Sequence, residues 1–155
     1  MQIILWRHAE AEDLAPSDLA RNLTIKGRKQ ADAMAAWLRK QMHDDFSQWR
    51  IIVSPATRAQ QTAFALQLKF ETLDSLAPDA TAAAVLNAAR WPDSEFNVIV
   101  VGHQPTLGMV AARLMNGVDG YVAVKKGATW WFETRERNGQ MQAVMKAMTT
   151  PESFA

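Results

Sequence analysis

The sequence predicts an α/β fold, a three-layer α/β/α sandwich with a mostly parallel central sheet and a C-terminal antiparallel hairpin. Three observations lead there. Short apolar runs at residues 2–6, 50–53 and 97–101 each end abruptly at polar residues. The stretches between them carry helical periodicity, and strands that alternate with helices pair in parallel because the crossover returns the chain to the same end of the sheet. The chain then closes with two apolar stretches either side of Asn138-Gly139, a two-residue turn signal that makes the last pair antiparallel. At 155 residues, one domain over 1–155 is expected, long enough to bury roughly 70% of its unfolded surface.

Taken in order, Gln2 to Trp6 is too short a run for a helix and suits a buried strand, followed at once by Arg7-His8. Residues 9–23 are polar and aperiodic and read as a loop containing Arg21. A helix begins near Thr24, which reads as its cap. Ala31, Met34, Ala35, Leu38 and Met42 share its apolar face. Arg39 and Lys40 lie in its last turns, where cations suit the helix dipole, and His43 reads as a solvated helix-end residue. Arg50 to Val53 is the second strand, ended by Ser54-Pro55, with Ser54 read as a turn residue rather than a hydrogen-bonding partner of the site. Pro55 suits the first turn of a helix. That helix is expected to run through Leu68 with Ala59, Ala63 and Leu66 inward, which puts Arg58 in its first turn.

Phe70–Thr72 reads as a short strand, and 79–90 as an alanine-rich helix with Val85, Leu86 and Ala89 in register, ended by Trp91-Pro92. Asn97 to Val101 is the strongest strand, ended by Gly102-His103. Leu107, Val110, Ala111, Leu114 and Met115 mark a further helix closed by Asn116-Gly117. Gly127–Thr134 and Met141–Met148 are the hairpin strands, with Trp130 and Trp131 expected to pack on opposite faces of the sheet. Thr149–Ala155 is expected to be a loose tail.

Composition narrows the function. Apolar residues make up 48% and charged residues 21%, and the net charge is +1, so no global field points to nucleic acid or a membrane as partner. The absence of cysteine excludes thiol catalysis, disulfides and thiolate metal sites. The histidines lack carboxylates at metal-ligand spacing, so neither metal nor cofactor is expected. The opening apolar run is too short for a secretory signal, and no stretch approaches the roughly 18 apolar residues of a membrane span. A cytoplasmic location is expected.

In open α/β sheets, ligands sit beyond the carboxyl ends of the strands. Here those ends carry Arg7-His8, Ser54 with Arg58 shortly after, and His103. A helix N-terminus favours an anion, and an arginine there adds a fork matched to phosphate. A neutral histidine with one lone pair free is a nucleophile for phosphorus, and a second histidine serves as a donor to the transferring oxygens.

These pieces fall into a known pattern. Arg7-His8-Ala9-Glu10 resembles the Arg-His-Gly signature of the histidine phosphatase superfamily, which has the phosphoglycerate mutase-like fold. Ser54-Pro55-Ala56-Thr57-Arg58-Ala59-Gln60-Gln61-Thr62 is similar to its Ser-Pro-x-x-Arg-Ala-x-Gln-Thr block, and Val101-Gly102-His103-Gln104-Pro105 to its third block. The short chain and Arg21-Asn22-Leu23-Thr24 are most similar to the SixA type, which removes phosphate from phosphohistidine in signalling proteins. The resemblance implies that His8 is the nucleophile, forming a phosphohistidine intermediate that water hydrolyses. It implies that Arg7 and Arg58 clamp the phosphoryl group, that His103 is the second catalytic histidine, and that Arg21 is an additional phosphate-binding arginine. The partners it implies are a phosphate-like oxyanion in the site and a phosphohistidine-bearing protein substrate.

Two departures matter. Ala9 stands where the wider superfamily has glycine. Ser75, in Leu73-Asp74-Ser75-Leu76-Ala77-Pro78, stands where many members carry a glutamate that protonates an alcohol leaving group. An alkoxide needs such an acid, whereas a phosphohistidine imidazole leaves more readily. Two other readings stay open: a small-molecule phosphomonoesterase with Glu10, Asp13 or Asp79 as a displaced acid, and a phosphoprotein-binding module without turnover.

Overall fold

Alternation along each buried strand decides which helices lie on which face of the sheet. The computed structural model describes residues 1–154. Within them the elements run β1 (Gln2–Arg7), α1 (Ile25–Gln41), β2 (Trp49–Val53), α2 (Thr57–Phe64), β3 (Glu71–Thr72), α3 (Ala82–Ala89), β4 (Asn97–Gly102), α4 (Thr106–Asn116), β5 (Thr129–Arg137) and β6 (Gln140–Thr149). The strand order across the sheet is β3-β2-β4-β1-β5-β6. The first four are parallel, β5 is antiparallel to β1, and β6 is antiparallel to β5.

Ile3 and Leu5 of β1 point to one face with Val98 and Val100 of β4, where Val85 of α3 and Leu107, Val110 and Leu114 of α4 cover them. Ile4 and Trp6 point to the other face with Ile99 and Val101, covered by Met34 and Leu38 of α1 and Ala59 and Ala63 of α2. A slip of one residue would exchange these two sets, so the register is fixed by burial on both faces. Trp130 and Trp131 split between the two cores as expected. Trp131 meets Trp37 and Trp49 edge-on, with ring centroids 6.2 and 5.9 Å away. Asn138 and Gly139 both take positive φ, the conformation that the hairpin turn demands.

The elements depart from expectation at several ends: α3 begins at Ala82 rather than 79, and β5 runs Thr129–Arg137 rather than 127–134. The α2 helix stops at Phe64 rather than Leu68, and Pro55 lies before the capping residue Ala56 instead of in the first turn. Leu66 is buried as expected, but Gln67 takes a left-handed φ of 56° that turns the chain toward β3. The expected loose tail is also wrong for its described part. The β6 strand extends to Thr149 and a 3₁₀ turn follows over Pro151–Phe154, with Pro151 buried against Gly127. Periodicity could not show this, because the segment is held by one proline rather than by an apolar face. Among the described residues, no helix is long and apolar enough to cross a membrane.

Two close approaches press loops onto helices. A Cβ on Gly27 of α1 would overlap the Glu10 carbonyl oxygen, and a Cβ on Gly108 of α4 would overlap that of Val122. Glycine at these two positions lets the loops of residues 9–23 and 118–126 close over the carboxyl ends of the strands.

Candidate active site

The backbone beyond β1 is fastened before any side chain is considered. His8 N–H donates to Gly102 O at 3.1 Å, and Gly127 N–H lies 3.1 Å from both Arg7 O and His8 O. The Ser54 N–H donates to Val101 O at 3.0 Å, so the ends of β1, β2 and β4 come together.

The His8 side chain is buried and its Nδ1 lies 2.7 Å from Ala9 O. A carbonyl only accepts, so Nδ1 carries the hydrogen and the neutral ring keeps its lone pair at Nε2. Burial, above all, pushes the His8 pKa down to about 3. The hydrogen bond to Ala9 works against this, while positive charge from His103, Arg58 and Arg7 adds to it. Ala9 N–H donates to Thr62 Oγ1 at 3.0 Å, and the Thr62 hydroxyl donates to Arg58 O at 2.7 Å. The segment bearing His8 is thereby tied to the turn of α2 that bears Arg58.

The Arg58 guanidinium is buried and its donors are distributed in two directions. The Nε–H points at His8 Nε2, 3.4 Å away. Nη1 donates to Asp18 O at 2.8 Å and Nη2 to Asp18 Oδ2 at 3.1 Å. His103 stands beside His8, with ring centroids 5.2 Å apart and planes inclined by 54°. Its Nε2 lies 2.7 Å from Ser54 Oγ, which also accepts the Ala56 N–H at 3.2 Å. Ser54 is therefore a turn residue, as expected, and a hydrogen-bonding partner of the site as well. Burial, then the Arg58 charge, lowers the His103 pKa to about 4, against an opposing pull from Asp18.

Arg7 donates from Nη1 to Val124 O at 2.8 Å. Burial lowers its pKa, Tyr121 opposes this and Arg58 adds to it, but a guanidinium stays charged regardless. The loop carrying Val124 is held by Gln104, whose Nε2 donates to Tyr121 Oη at 3.0 Å and Val122 O at 3.2 Å. Two buried side-chain polar atoms among the described residues have no partner, Arg7 Nε and His103 Nδ1. Such atoms are rare in folded proteins, and both belong to this cluster. Where Nδ1 bears the His103 hydrogen, the pair supplies two donors to an anion.

Arg21 lies one layer further out. Its Nε donates to Glu12 O at 2.7 Å and its Nη1 lies 3.3 Å from Asp18 Oδ1, so it reaches Arg58 only through Asp18. The three carboxylates considered as displaced acids are elsewhere. Glu10 accepts the Thr24 hydroxyl at 3.0 Å, at the head of α1. Asp13 is exposed and 3.9 Å from Arg21, and Asp79 is exposed. Ser75 sits on the exposed 3₁₀ turn Asp74–Leu76. Thr24 caps α1, accepting Gly27 N–H at 2.9 Å, and His43 is an exposed residue at the helix end, both as expected.

Sequence reasoning missed Asp18, Thr62, Gln104 and Val124. Thr62 and Gln104 stood inside the quoted motifs without an assigned part. Asp18 carried no signal, because it lies in an aperiodic polar loop. Val124 contributes only a carbonyl, which every residue has.

A mostly parallel sheet with two histidines and two arginines converging at its strand ends defines a class, and comparison with known families agrees. Residues 3–80 match the histidine phosphatase superfamily (branch 1). The chain belongs to this superfamily and is a hydrolase. Two of its relatives share one name. The phosphohistidine phosphatase SixA homolog of Haemophilus influenzae is 38% identical over 126 residues, covering 74% of this chain and 77% of that protein. Phosphohistidine phosphatase SixA of Escherichia coli is 32% identical over 125 residues, covering 76% of each. The solved structure of the protein histidine phosphatase SixA complexed with tungstate superposes with a TM-score of 0.79, at 25% identity over 100% of both chains.

Proposed function

We propose that this chain hydrolyses phosphohistidine on a signalling protein, without a metal, and that His8 carries the phosphoryl group in transit. The reading takes residues 1–155 as one domain working in the cytoplasm. The observation that carries it is the fixed tautomer of His8. Nδ1–H is committed to Ala9 O, and the Nε2 lone pair faces the Arg58 Nε–H, 3.4 Å away. A phosphate-binding module needs the arginines but has no use for a buried histidine held neutral with its lone pair exposed to the anion site.

In the first step Nε2 attacks phosphorus and the phosphorus–nitrogen bond of the substrate breaks, so the phosphoryl group passes to His8. The leaving imidazole keeps the electron pair of the broken bond and departs as a neutral ring, because the substrate arrives protonated at its other ring nitrogen. Water then attacks the phosphorus on His8, giving inorganic phosphate and restoring the neutral ring. Arg7 and Arg58 offset the charge of the phosphoryl oxygens, and Arg21 adds to the field from outside. With the Ser54 hydroxyl donating to His103 Nε2, Nδ1–H is left to bond an equatorial oxygen. No hydrogen bond or ion pair joins the Glu10, Asp13 or Asp79 carboxylate to His8, His103, Arg7 or Arg58, in keeping with a leaving group that needs no carboxylic acid. The names of the relatives support the same substrate.

The test is a side-by-side assay with chelator present. Wild type and His8→Ala are incubated with a phosphohistidine-bearing carrier domain, p-nitrophenyl phosphate and a simple sugar phosphate. The expected result is that wild type clears the carrier, hydrolyses the activated ester slowly and leaves the sugar phosphate, while His8→Ala does none of these. Preference for the sugar phosphate would defeat the proposal in favour of a small-molecule phosphomonoesterase. Phosphate binding without turnover of any substrate would leave a binding module.

A further inference from the structure

The two directions in which Arg58 spends its donors point to a further residue of the site. A guanidinium has an end fork, made by Nη1 and Nη2, and a side fork, made by Nε and the second hydrogen of Nη2. Asp18 takes the end fork twice, with its backbone oxygen on Nη1 at 2.8 Å and its carboxylate on Nη2 at 3.1 Å. The side fork is turned to His8, with Nε 3.4 Å from Nε2. We infer that Asp18 is a positioning residue for phosphoryl transfer, gripping the end of Arg58 so that its side fork meets the oxygens of the phosphoryl group on His8. This deepens the proposed function and rests on it.

The grip itself is anchored. The Asp18 carbonyl also accepts Arg21 N–H, closing the 3₁₀ turn Asp18–Ala20, and its Oδ1 lies 3.3 Å from Arg21 Nη1. Arg21 in turn holds Glu12 O, and the Glu12 N–H donates to Asn22 O at 2.7 Å. Gln61 of α2 donates to Asn22 Oδ1 at 2.9 Å and accepts Leu23 N–H at 2.7 Å. The loop that presents Asp18 is thus fastened to the helix that presents Arg58. The Asp18 carboxylate is over half exposed, which separates this role from a structural one: its loss removes little packing. Burial alone would raise its pKa, but the bonds and charges of Arg58 and Arg21 hold it below the usual range, so it remains an anion and is not a proton donor.

The opposite arrangement is also chemically reasonable. Asp18 would then be a competitor that occupies the arginines until phosphate displaces it. The two differ in sign. Asp18→Ala and Asp18→Asn are compared with wild type on the carrier domain and on p-nitrophenyl phosphate, with inhibition by orthovanadate and by inorganic phosphate, and with the thermal midpoint as a check on folding. Positioning predicts that Asp18→Ala loses about 10- to 100-fold in kcat on both substrates, with a smaller change in KM and an unchanged midpoint. Vanadate, which reaches five-coordinate geometry, should weaken more than phosphate. Asp18→Asn, which keeps an oxygen for Nη2, should recover most of the loss. Tighter phosphate inhibition or faster turnover in Asp18→Ala would overturn the inference in favour of the competitor, and so would a loss confined to one substrate. Should wild type ignore the carrier domain, the substrate reading falls alone, and the Asp18 comparison is still decided on p-nitrophenyl phosphate.

Discussion

His8 and His103 are both buried among arginines, and both take pKa values well below the ordinary 6.5, about 3 and about 4. The unfolded chain therefore binds more protons than the folded one throughout the window from 6.5 down to those values. Stability is at its full level above pH 6.5 and falls as the pH drops through the window, by about 1.4 kcal/mol per pH unit for each group. Urea denaturation at pH 5 and pH 7 should show this slope, and His8→Asn should reduce it by roughly one group's share. The same burial keeps His8 unprotonated, so kcat/KM should hold up to at least pH 5 on the acid side. His8→Ala should lower turnover by on the order of 10³-fold or more, measured by release of phosphate. His8, Arg58 and His103 were legible as residues because each follows a strand or opens a helix within a recognisable motif. Asp18 was not, since its meaning depends on which fork of a distant guanidinium it meets.

At the scale of elements, α1 and α4 each trade a side chain for contact with a loop. Gly27→Ala would push the loop of residues 9–23 off α1, and Gly108→Ala would push that of residues 118–126 off α4. Each should cost about 1–3 kcal/mol of stability, read from chemical denaturation, and each should also lower kcat, because one loop carries Asp18 and the other Val124. Thr24→Ala removes a cap and costs about 1 kcal/mol, but it should leave kcat nearly unchanged at a temperature where the protein stays folded. This contrast separates loss of stability from loss of site geometry. Helix existence was legible from periodicity throughout. The end of α2 was not, because Leu66 is buried whether it lies in the helix or in the turn beyond it.

At the scale of the molecule, the parallel sheet and the closing hairpin follow from alternation and turn chemistry that any reader of the sequence can see. The order of the strands does not, because nothing local says that β4 inserts between β1 and β2. That insertion matters for the site, since it sets His103 between His8 on one side and Ser54 on the other. The net charge of +1 gives the molecule little long-range field. Association with a phosphorylated carrier should accordingly depend weakly on ionic strength, with kcat/KM varying within about tenfold between low and moderate salt. Stopped-flow or initial-rate assays at several salt concentrations check this.

The Arg7 guanidinium rests on a main-chain oxygen, that of Val124, within a loop whose other side chains include the exposed Val118 and Tyr121. An acceptor of that kind is indifferent to the identity of the residue that supplies it. Natural variation or deliberate redesign can therefore recolour the rim around the anion site while the acceptor itself persists. Selection for a new docking partner and selection for phosphoryl chemistry act here on separable features of the same loop, and the first can drift while the second stands still.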